Sequence, residues 1–511
     1  MRSRSVCVVG AGAAGLVLAA SLLRRGWRVT VVEGGGPRPA PTLEDTYRAV
    51  VEGIPHRGIH EGRVRAWGGS TTRWGGQLWP WEPHEFEARP RLGIAGWPIG
   101  YDDIAPYYSR ALGTLGVANA GLDAEGARRR GAPLPAFDPS RLRIKYSMWL
   151  PWKLRNLGRS IGRGVRRHAE AVVMERTTVT GLAATADGTR ITGVRVRDAA
   201  GERLLPVDRV VIAGGAVETT RLLLASRDEG VIHDDSGWLG RGFMDHLSVR
   251  TGRFAPRDSS VFARAFSPIV VDGVQYTPRL LLHPGLTLDE GLLGAYGHWE
   301  AVLPGDSALH VLRERLRAIQ AGSTPRIGLG DLGRIARGAL EVAALLRGVV
   351  LERRRYFPRD ATFHLRIDSE QLPDRESCLT LSPERDAYGL PRVRVRWRVS
   401  ELERRTVRRT REFLAEELEA RGVGTLEQTA DAFDDDAPWS EAKGDSFHMM
   451  GGTRMAKDAR DGVVDPEGRV FAVENLFVAG ASVFPTGGMA NPTLTLVALA
   501  LRLGDHLDGG T

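Results

Sequence analysis

Residues 447–455 read Phe-His-Met-Met-Gly-Gly-Thr-Arg-Met and residues 490–495 read Ala-Asn-Pro-Thr-Leu-Thr. His448 and Asn491 are the side chains in these runs best suited to chemistry. A neutral imidazole, with an ordinary pKa of ~6.5, takes a proton near neutral pH. A carboxamide donates to an oxygen that is gaining negative charge without changing its own. The pair therefore suits removal of a hydroxyl proton while another group takes a hydride from the same carbon. The plain alternatives are a core histidine satisfied by a carbonyl, and an Asn-Pro turn or helix cap. The residue types alone leave both open.

A second constellation lies at the other end of the chain. Val6–Val9 reads as a strand, Gly10-Ala-Gly12-Ala-Ala-Gly15 as a glycine turn, Leu16–Arg25 as a helix, and Arg28–Val32 as a second strand ending at Glu33. In such a βαβ unit Gly10 permits the tight turn, Gly12 the approach of a pyrophosphate, and Gly15 close helix packing, while the helix N-terminus offers free N–H groups. Glu33 is placed to accept from an adenosine ribose, and it would repel the 2′-phosphate of NADP. These residues predict dinucleotide binding.

Two such sites need a large scaffold, and 511 residues supply it. With 42% hydrophobic and 26% charged residues the chain is an ordinary globular one, not a disordered one. Apolar stretches are cut by charge before a membrane span is reached, as Arg347 does within Leu340–Leu351. The first strand follows Met1–Ser5 directly, with no room for a leader, so a cytoplasmic location is expected. Two cysteines, Cys7 and Cys378, make no disulfide framework, and the scattered histidines predict no metal site. Only four of the 70 basic residues are lysine, and the formal charge is +8. Basic clusters at Arg128–Arg130, Lys153–Arg167 and Arg353–Arg355 could steer an anionic partner, but no nucleic-acid motif accompanies them, so they read as solvated surface.

Further strand-turn-helix units appear at Arg209–Ser226, with Ala213-Gly-Gly215, and near Leu476–Gly480 followed by a helix over Thr493–Leu507. The nucleotide domain is thus expected to be discontinuous, built from residues 1–100, 165–250 and 430–511. Between these pieces Pro391–Val399 alternates strictly, with Val393, Val395, Trp397 and Val399 on one face, which predicts a half-buried antiparallel strand. Phe363–Ile367, Cys378–Leu381, Val274–Leu282 and Gly294–Val302 are its expected neighbours. Ser400 and Glu403 form a capping-box pattern before a helix covering that sheet, and Ser307–Arg355 reads as two helices parted by a turn at 321–325. Residues 101–164 and 251–429 are the expected substrate domain. The fold class is α/β, a Rossmann-like domain plus a mainly antiparallel sheet with covering helices.

The order of these motifs, with Gly68-Gly69-Ser70, Gly96-Trp97-Pro98, Tyr107-Tyr108, and Gly240-Arg241 before Met244-Asp245-His246, resembles the glucose-methanol-choline (GMC) family of FAD-dependent alcohol oxidoreductases. Gly451-Gly452-Thr453 followed by Asn491-Pro492-Thr493 is most similar to its pyranose oxidase and bacterial glycoside oxidase branch. The resemblance implies FAD as cofactor and oxidation of a sugar or glycoside hydroxyl to a carbonyl, with His448 as base, Asn491 as its partner, and electrons passed to O2, a quinone or a protein. It places Gly10, Gly12, Ala14, Gly15, Glu33, Gly68, Gly69, Ser70, Val173, Ala213, Gly214, Gly480, Ala481, Asn491, Pro492 and Thr493 along the cofactor. Where pyranose 2-oxidase carries a flavin-linking Thr-His-Trp, this chain has Thr72-Arg73-Trp74, so non-covalent FAD is expected. Gln371 and Trp74 are weaker candidates for touching substrate. His246 reads as structural, and Trp67, Trp74, Trp79 and Trp81 as a packed junction or a sugar-stacking wall. A non-sugar alcohol, a flavin-dependent reductase of the same fold and a non-catalytic nucleotide carrier are the rival readings. Oligomeric state is not legible.

Overall fold

A computed structural model describes residues 4–40, 45–118, 121–303, 307–321, 328–357, 361–428, 439–440 and 442–509. Its nucleotide-type sheet has five parallel strands in the order Leu476–Val478, Val210–Ile212, Ser5–Val9, Arg28–Val32 and Ala171–Met174. The three central runs are rich in valine because strands covered on both faces need apolar side chains on both, and Val8, Val31, Val210 and Val211 are fully buried. Helix Ala13–Leu23 is apolar nearly all round for the same reason, packing against the sheet and against helix Thr493–Leu507.

The second layer is a nine-stranded sheet. Its main path is antiparallel and runs Gly424–Gln428, Leu247–Pro256, Thr362–Ser369, Ala295–Val302, Val274–Leu282, Leu142–Trp149 and Gln77–Leu78. Helix Glu401–Ala420 lies over it, burying Val407, Phe413, Leu414 and Leu418. The capping box forms: Ser400 Oγ accepts from Leu402 N at 3.2 Å, and Ser400 N donates to Glu403 at 2.8 Å.

One neighbourhood differs from the sequence reading. Pro391–Trp397 pairs antiparallel with Cys378–Arg385, as expected, but its other edge takes Val50–Gly53 in parallel, in a separate three-stranded sheet. Phe363–Ile367, Val274–Leu282 and Gly294–Val302 belong to the large sheet instead. Alternation reports which face of a strand is buried, not which strand lies beside it. Residues 308–351 form three helices rather than two, Ala308–Ala321, Leu329–Arg337 and Ala339–Leu351, because Gly338 interrupts the second segment. The turn expected at 321–325 lies mostly outside the described residues.

Candidate active site

Strand pairing assembles the chemistry-bearing residues. The short strand Lys443–Asp445 pairs with Leu247–Val249, and Met450 bridges Met244 with mutual backbone hydrogen bonds of 2.8 and 2.9 Å. This register sets His448 beside His246. Their Nδ1 atoms are 3.0 Å apart, and Asn491 Nδ2 lies 2.8 Å from His448 Nε2. With the Asn491 amide donating to Nε2, the His448 proton sits on Nδ1 and is donated to His246 Nδ1. His246 then carries its proton on Nε2, which faces Gly487 O at 3.4 Å. One chain of hydrogen bonds thus fixes both tautomers. His448 is half-buried, and its pKa is pushed down to about 4 by burial and then by His246, against the opposing pull of Asp245. Neutral imidazole is therefore the form present at neutral pH, with the Nε2 lone pair on the Asn491 side. Asn491 is buried, and its Oδ1 has no hydrogen-bond partner among the described residues.

Asp245 holds this arrangement from behind. Its Oδ1 accepts from the backbone N–H of His246 at 2.7 Å, of His448 at 2.9 Å and of Ser446 at 3.2 Å. Its Oδ2 faces His56 Nε2 at 3.4 Å, while His56 Nδ1 lies 3.6 Å from Asp445. Asp445 in turn accepts from Arg57 N and Gly58 N. Burial alone would raise Asp245, but hydrogen bonding and charge from His56 and His448 hold it below the usual carboxylate range; Asp445 is raised by burial and by the charge of Asp245. The arrangement is an imidazole held between one ionised carboxylate and a second that resists ionisation. Local spacing gave no sign of this His/Asp cluster, since its members come together from residues 56, 245 and 445.

Asp245→Ala would strand three backbone N–H groups and the His56 ring. A loss of about 3–5 kcal/mol in denaturant unfolding is expected, with a smaller loss for Asp245→Asn, which keeps an acceptor oxygen.

Gln371 is corrected. Its Oε1 accepts from Asp245 N and Trp397 Nε1, both at 2.8 Å, and its Nε2 donates to Arg398 O. The carboxamide is spent inside the fold, where it supports Asp245 rather than meeting a sugar hydroxyl. Trp74 is half-buried with its Nε1 on Arg155 O at 2.7 Å. Trp67, Trp79 and Trp81 are buried core residues, so no such wall forms from them. Sequence reading missed the supports of the Asn491 loop. Glu370, ion-paired with Arg89, accepts from Gly488 N at 3.2 Å, and Glu85 accepts from Met489 N at 2.9 Å. Burial raises Glu85 to about 7.

The glycine turn forms a cradle at the ends of the parallel strands. Gly15 cannot carry a side chain, because a Cβ there would lie 2.0 Å from Gly10 O; a Cβ on Gly12 would meet no protein atom within 4 Å. Helix Ala13–Leu23 has no side-chain cap, leaving its N-terminus open beside that space. Glu33, at the end of its strand, accepts from Ala11 N at 2.9 Å and Gly35 N at 2.7 Å. Gly68 N donates to Ala11 O at 2.9 Å, a Cβ on Gly69 would lie 3.0 Å from Gly12 Cα, and Ser70 Oγ donates to Gly62 O. Ala213 and Gly214 border Gly10, Ala14 is buried in the helix, and Val173 pairs with Val31 on the edge strand. Gly480 and Ala481 follow the strand Leu476–Val478, with Ala481 O accepting from Gly451 N at 3.0 Å. Pro492 caps the helix that begins at Thr493. The structure therefore brings the N-terminal cradle and the C-terminal motifs into one connected region. Open space at Gly12, an uncapped helix end and a carboxylate at the end of the second strand are features that suit a dinucleotide.

Comparison with known proteins agrees with that chemistry. Residues 5–318 match the FAD dependent oxidoreductase family model, and residues 373–500 match the GMC oxidoreductase model. The chain is 25% identical to 2-methyl-1,2-propanediol dehydrogenase of Mycolicibacterium austroafricanum, over 98% of this chain and 94% of that one. It is 26% identical to paromamine 6'-oxidase of Streptomyces fradiae, over 97% and 90%. A C-glycoside 3-oxidase of Arthrobacter globiformis is 35% identical across 23% of this chain and 21% of its own length. Among solved structures, pyridoxine 4-oxidase from Mesorbium loti superposes with a TM-score of 0.60 at 17% identity, covering 98% of both chains, which supports the shared fold. The chain belongs to the FAD-dependent oxidoreductases, with FAD as its cofactor and the GMC oxidoreductase domain at its C-terminal end.

Proposed function

We propose that this enzyme oxidises a hydroxyl of a sugar or glycoside to a carbonyl, with His448 as the base and Asn491 as the anchor of the reacting oxygen. The observation that carries the reading is the 2.8 Å approach of Asn491 Nδ2 to an imidazole nitrogen that burial keeps unprotonated. A substrate hydroxyl that displaces the Asn491 amide from His448 Nε2 donates its proton to that nitrogen and accepts from the released amide. As the O–H proton moves to His448, the C–O bond gains double-bond character and the C–H pair leaves as hydride. When bound, FAD would supply the hydride acceptor, with O2 or another acceptor as the proposed destination of the electrons.

The chain's own residues do the rest. Donation from Asn491 stabilises the oxygen as it gains charge. Once His448 is protonated, its Nδ1–H remains on His246 Nδ1, so the ring stays aimed at the substrate. Asp245, 2.9 Å from the His448 backbone N–H, supplies the nearby negative charge that favours the imidazolium. Gly10–Gly15, Glu33, Gly68–Ser70, Ala213–Gly214, Gly480–Ala481 and Asn491–Thr493 would hold the cofactor, and Val173 would border it.

A sugar is favoured by the names of several relatives, among them paromamine 6'-oxidase and the fructose dehydrogenase large subunit of Gluconobacter japonicus. The same hydrogen-bonding pair would serve a vicinal diol, the substrate named for the propanediol dehydrogenase. Anaerobic mixing of the flavin-loaded enzyme with a panel of sugars, glycosides and diols tests the reading by loss of flavin absorbance. Bleaching by sugars or glycosides is expected. Bleaching by diols alone would replace the substrate class, and bleaching by NADH alone would make the protein a reductase.

A further inference from the structure

The chain's large exposed apolar side chains are concentrated in one place. Of fourteen among the described residues, seven lie between Leu316 and Leu351. Helix Ala339–Leu351 is apolar or glycine except for Glu341 and Arg347. Its outer face exposes Leu340 at 87% and Leu351 at 72%, with Leu346 and Val350 alongside. Its inner face is used by the fold, since Gly348 is buried and a Cβ there would lie 2.9 Å from the Tyr356 ring. A helix apolar on all sides is ordinarily covered, and a patch of this kind marks a contact surface.

Charge identifies what covers it. Residues 308–357 hold ten arginines against four acids, and residues 152–167 hold six basic residues and no acid. Of the 70 basic and 62 acidic residues in the chain, 16 and 4 fall in these two segments, so the remainder is slightly acidic. The two segments touch: Asn156 Nδ2 donates to Gln320 O at 3.0 Å, and Arg159 Nη1 to Ile319 O at 3.4 Å. Arg155 is drawn down to about 10, first by burial and then by the neighbouring Arg355. The basic run at 153–167, read from sequence as solvated surface, is thus contiguous with the apolar helices, with Trp152 exposed at its start.

We propose that helices Ala308–Ala321, Leu329–Arg337 and Ala339–Leu351, flanked by the 153–167 run, dock the enzyme on an anionic lipid surface. Apolar side chains entering the headgroup boundary with arginines beside the phosphates is the interaction this composition supports. A second copy fits less well, because a two-fold contact would set the same arginine-rich surface against itself. The helices lie on the surface rather than cross it: 13 residues at ~1.5 Å each span roughly 20 Å, short of a ~30 Å hydrocarbon core. No described helix is long and apolar enough to cross a membrane. Gln320 Nε2 donates to Trp74 O at 2.7 Å, which joins this patch to the segment following Gly68–Ser70.

The test is sedimentation of the full-length, FAD-loaded enzyme with phosphatidylcholine vesicles, with and without phosphatidylglycerol. Binding to the anionic vesicles at low salt, weakened by high salt, is expected. Leu340→Glu with Val350→Glu, and separately Arg337→Glu with Arg347→Glu, should each lower the partition coefficient by about tenfold or more. Flavin absorbance and turnover with a soluble dye acceptor should stay at the wild-type level. Absence of binding to anionic vesicles, or binding that neither double variant weakens, overturns the proposal. So does vesicle-free self-association that Leu340→Glu with Val350→Glu abolishes, which would make the patch an interface between copies. Because the readout is lipid binding, the result is separate from the role assigned to His448.

Discussion

His448→Gln should slow anaerobic flavin reduction by substrate about 10²- to 10⁴-fold, the usual contribution of a positioned base, while the protein remains yellow. Glutamine keeps a polar side chain near Asn491 but cannot take a proton. The expected pH behaviour follows from burial. The folded-state pKa of His448 is about 4, below the ~6.5 of a free imidazole, so the base is already unprotonated at pH 6. The wild-type reduction rate should stay level from neutrality down through pH 6 and fall as pH approaches 4. Stability moves the same way: between about 4 and 6.5 the unfolded chain binds the extra proton, so this group's contribution to stability rises with pH across that window. A wild-type reductive rate that halves near pH 6.5, or a His448→Gln enzyme reduced at the wild-type rate, would remove His448 from the role of base.

The second large effect separates two glycines three positions apart. Gly15→Ala drives a methyl group to 2.0 Å from a backbone oxygen that cannot swing aside. A loss of about 3 kcal/mol or more is expected, and with it the ability to retain FAD. Gly12→Ala meets no protein atom within 4 Å, so the cofactor-free protein should keep its melting temperature to within about 1 kcal/mol equivalent. Its methyl group would occupy the space reserved for the pyrophosphate, weakening FAD binding at least about tenfold, or ~1.4 kcal/mol. Undiminished FAD binding by Gly12→Ala would mean that the open space at Gly12 is not where the pyrophosphate lies.

The N-terminal unit was legible because it is local: strand, turn, helix and strand lie within residues 5–32, and each glycine's task follows from its neighbours. The capping box at Ser400 was legible for the same reason. The alternation at Pro391–Trp397 was equally clear, but its parallel partner is a four-residue strand some 340 positions away, and no periodicity carries that information. At the candidate site, residue types left the roles of His448 and Asn491 open, and the order of motifs resembling the GMC family selected them. The importance of His246 depends on the register between Lys443–Asp445 and Leu247–Val249, which brings two separated histidines to 3.0 Å. Gln371 failed as a substrate residue because a polar side chain at a strand end looks the same in sequence whether it faces solvent or, as here, a buried aspartate's backbone.

The parallel sheet carries a consequence for the order of events during synthesis. Its central strand, Ser5–Val9, is made well before one neighbour, Val210–Ile212, and long before one of the two outer strands, Leu476–Val478. Contacts across such distances close slowly, and until they close the early strands present unpaired edges. A nascent chain that stops short of about residue 480 lacks the strand Leu476–Val478 and the Gly480–Ala481 turn proposed to border the cofactor, so coenzyme capture is expected only after that point. Chains stalled or clipped before that point would be colourless and prone to aggregate, giving translation quality a direct optical signature.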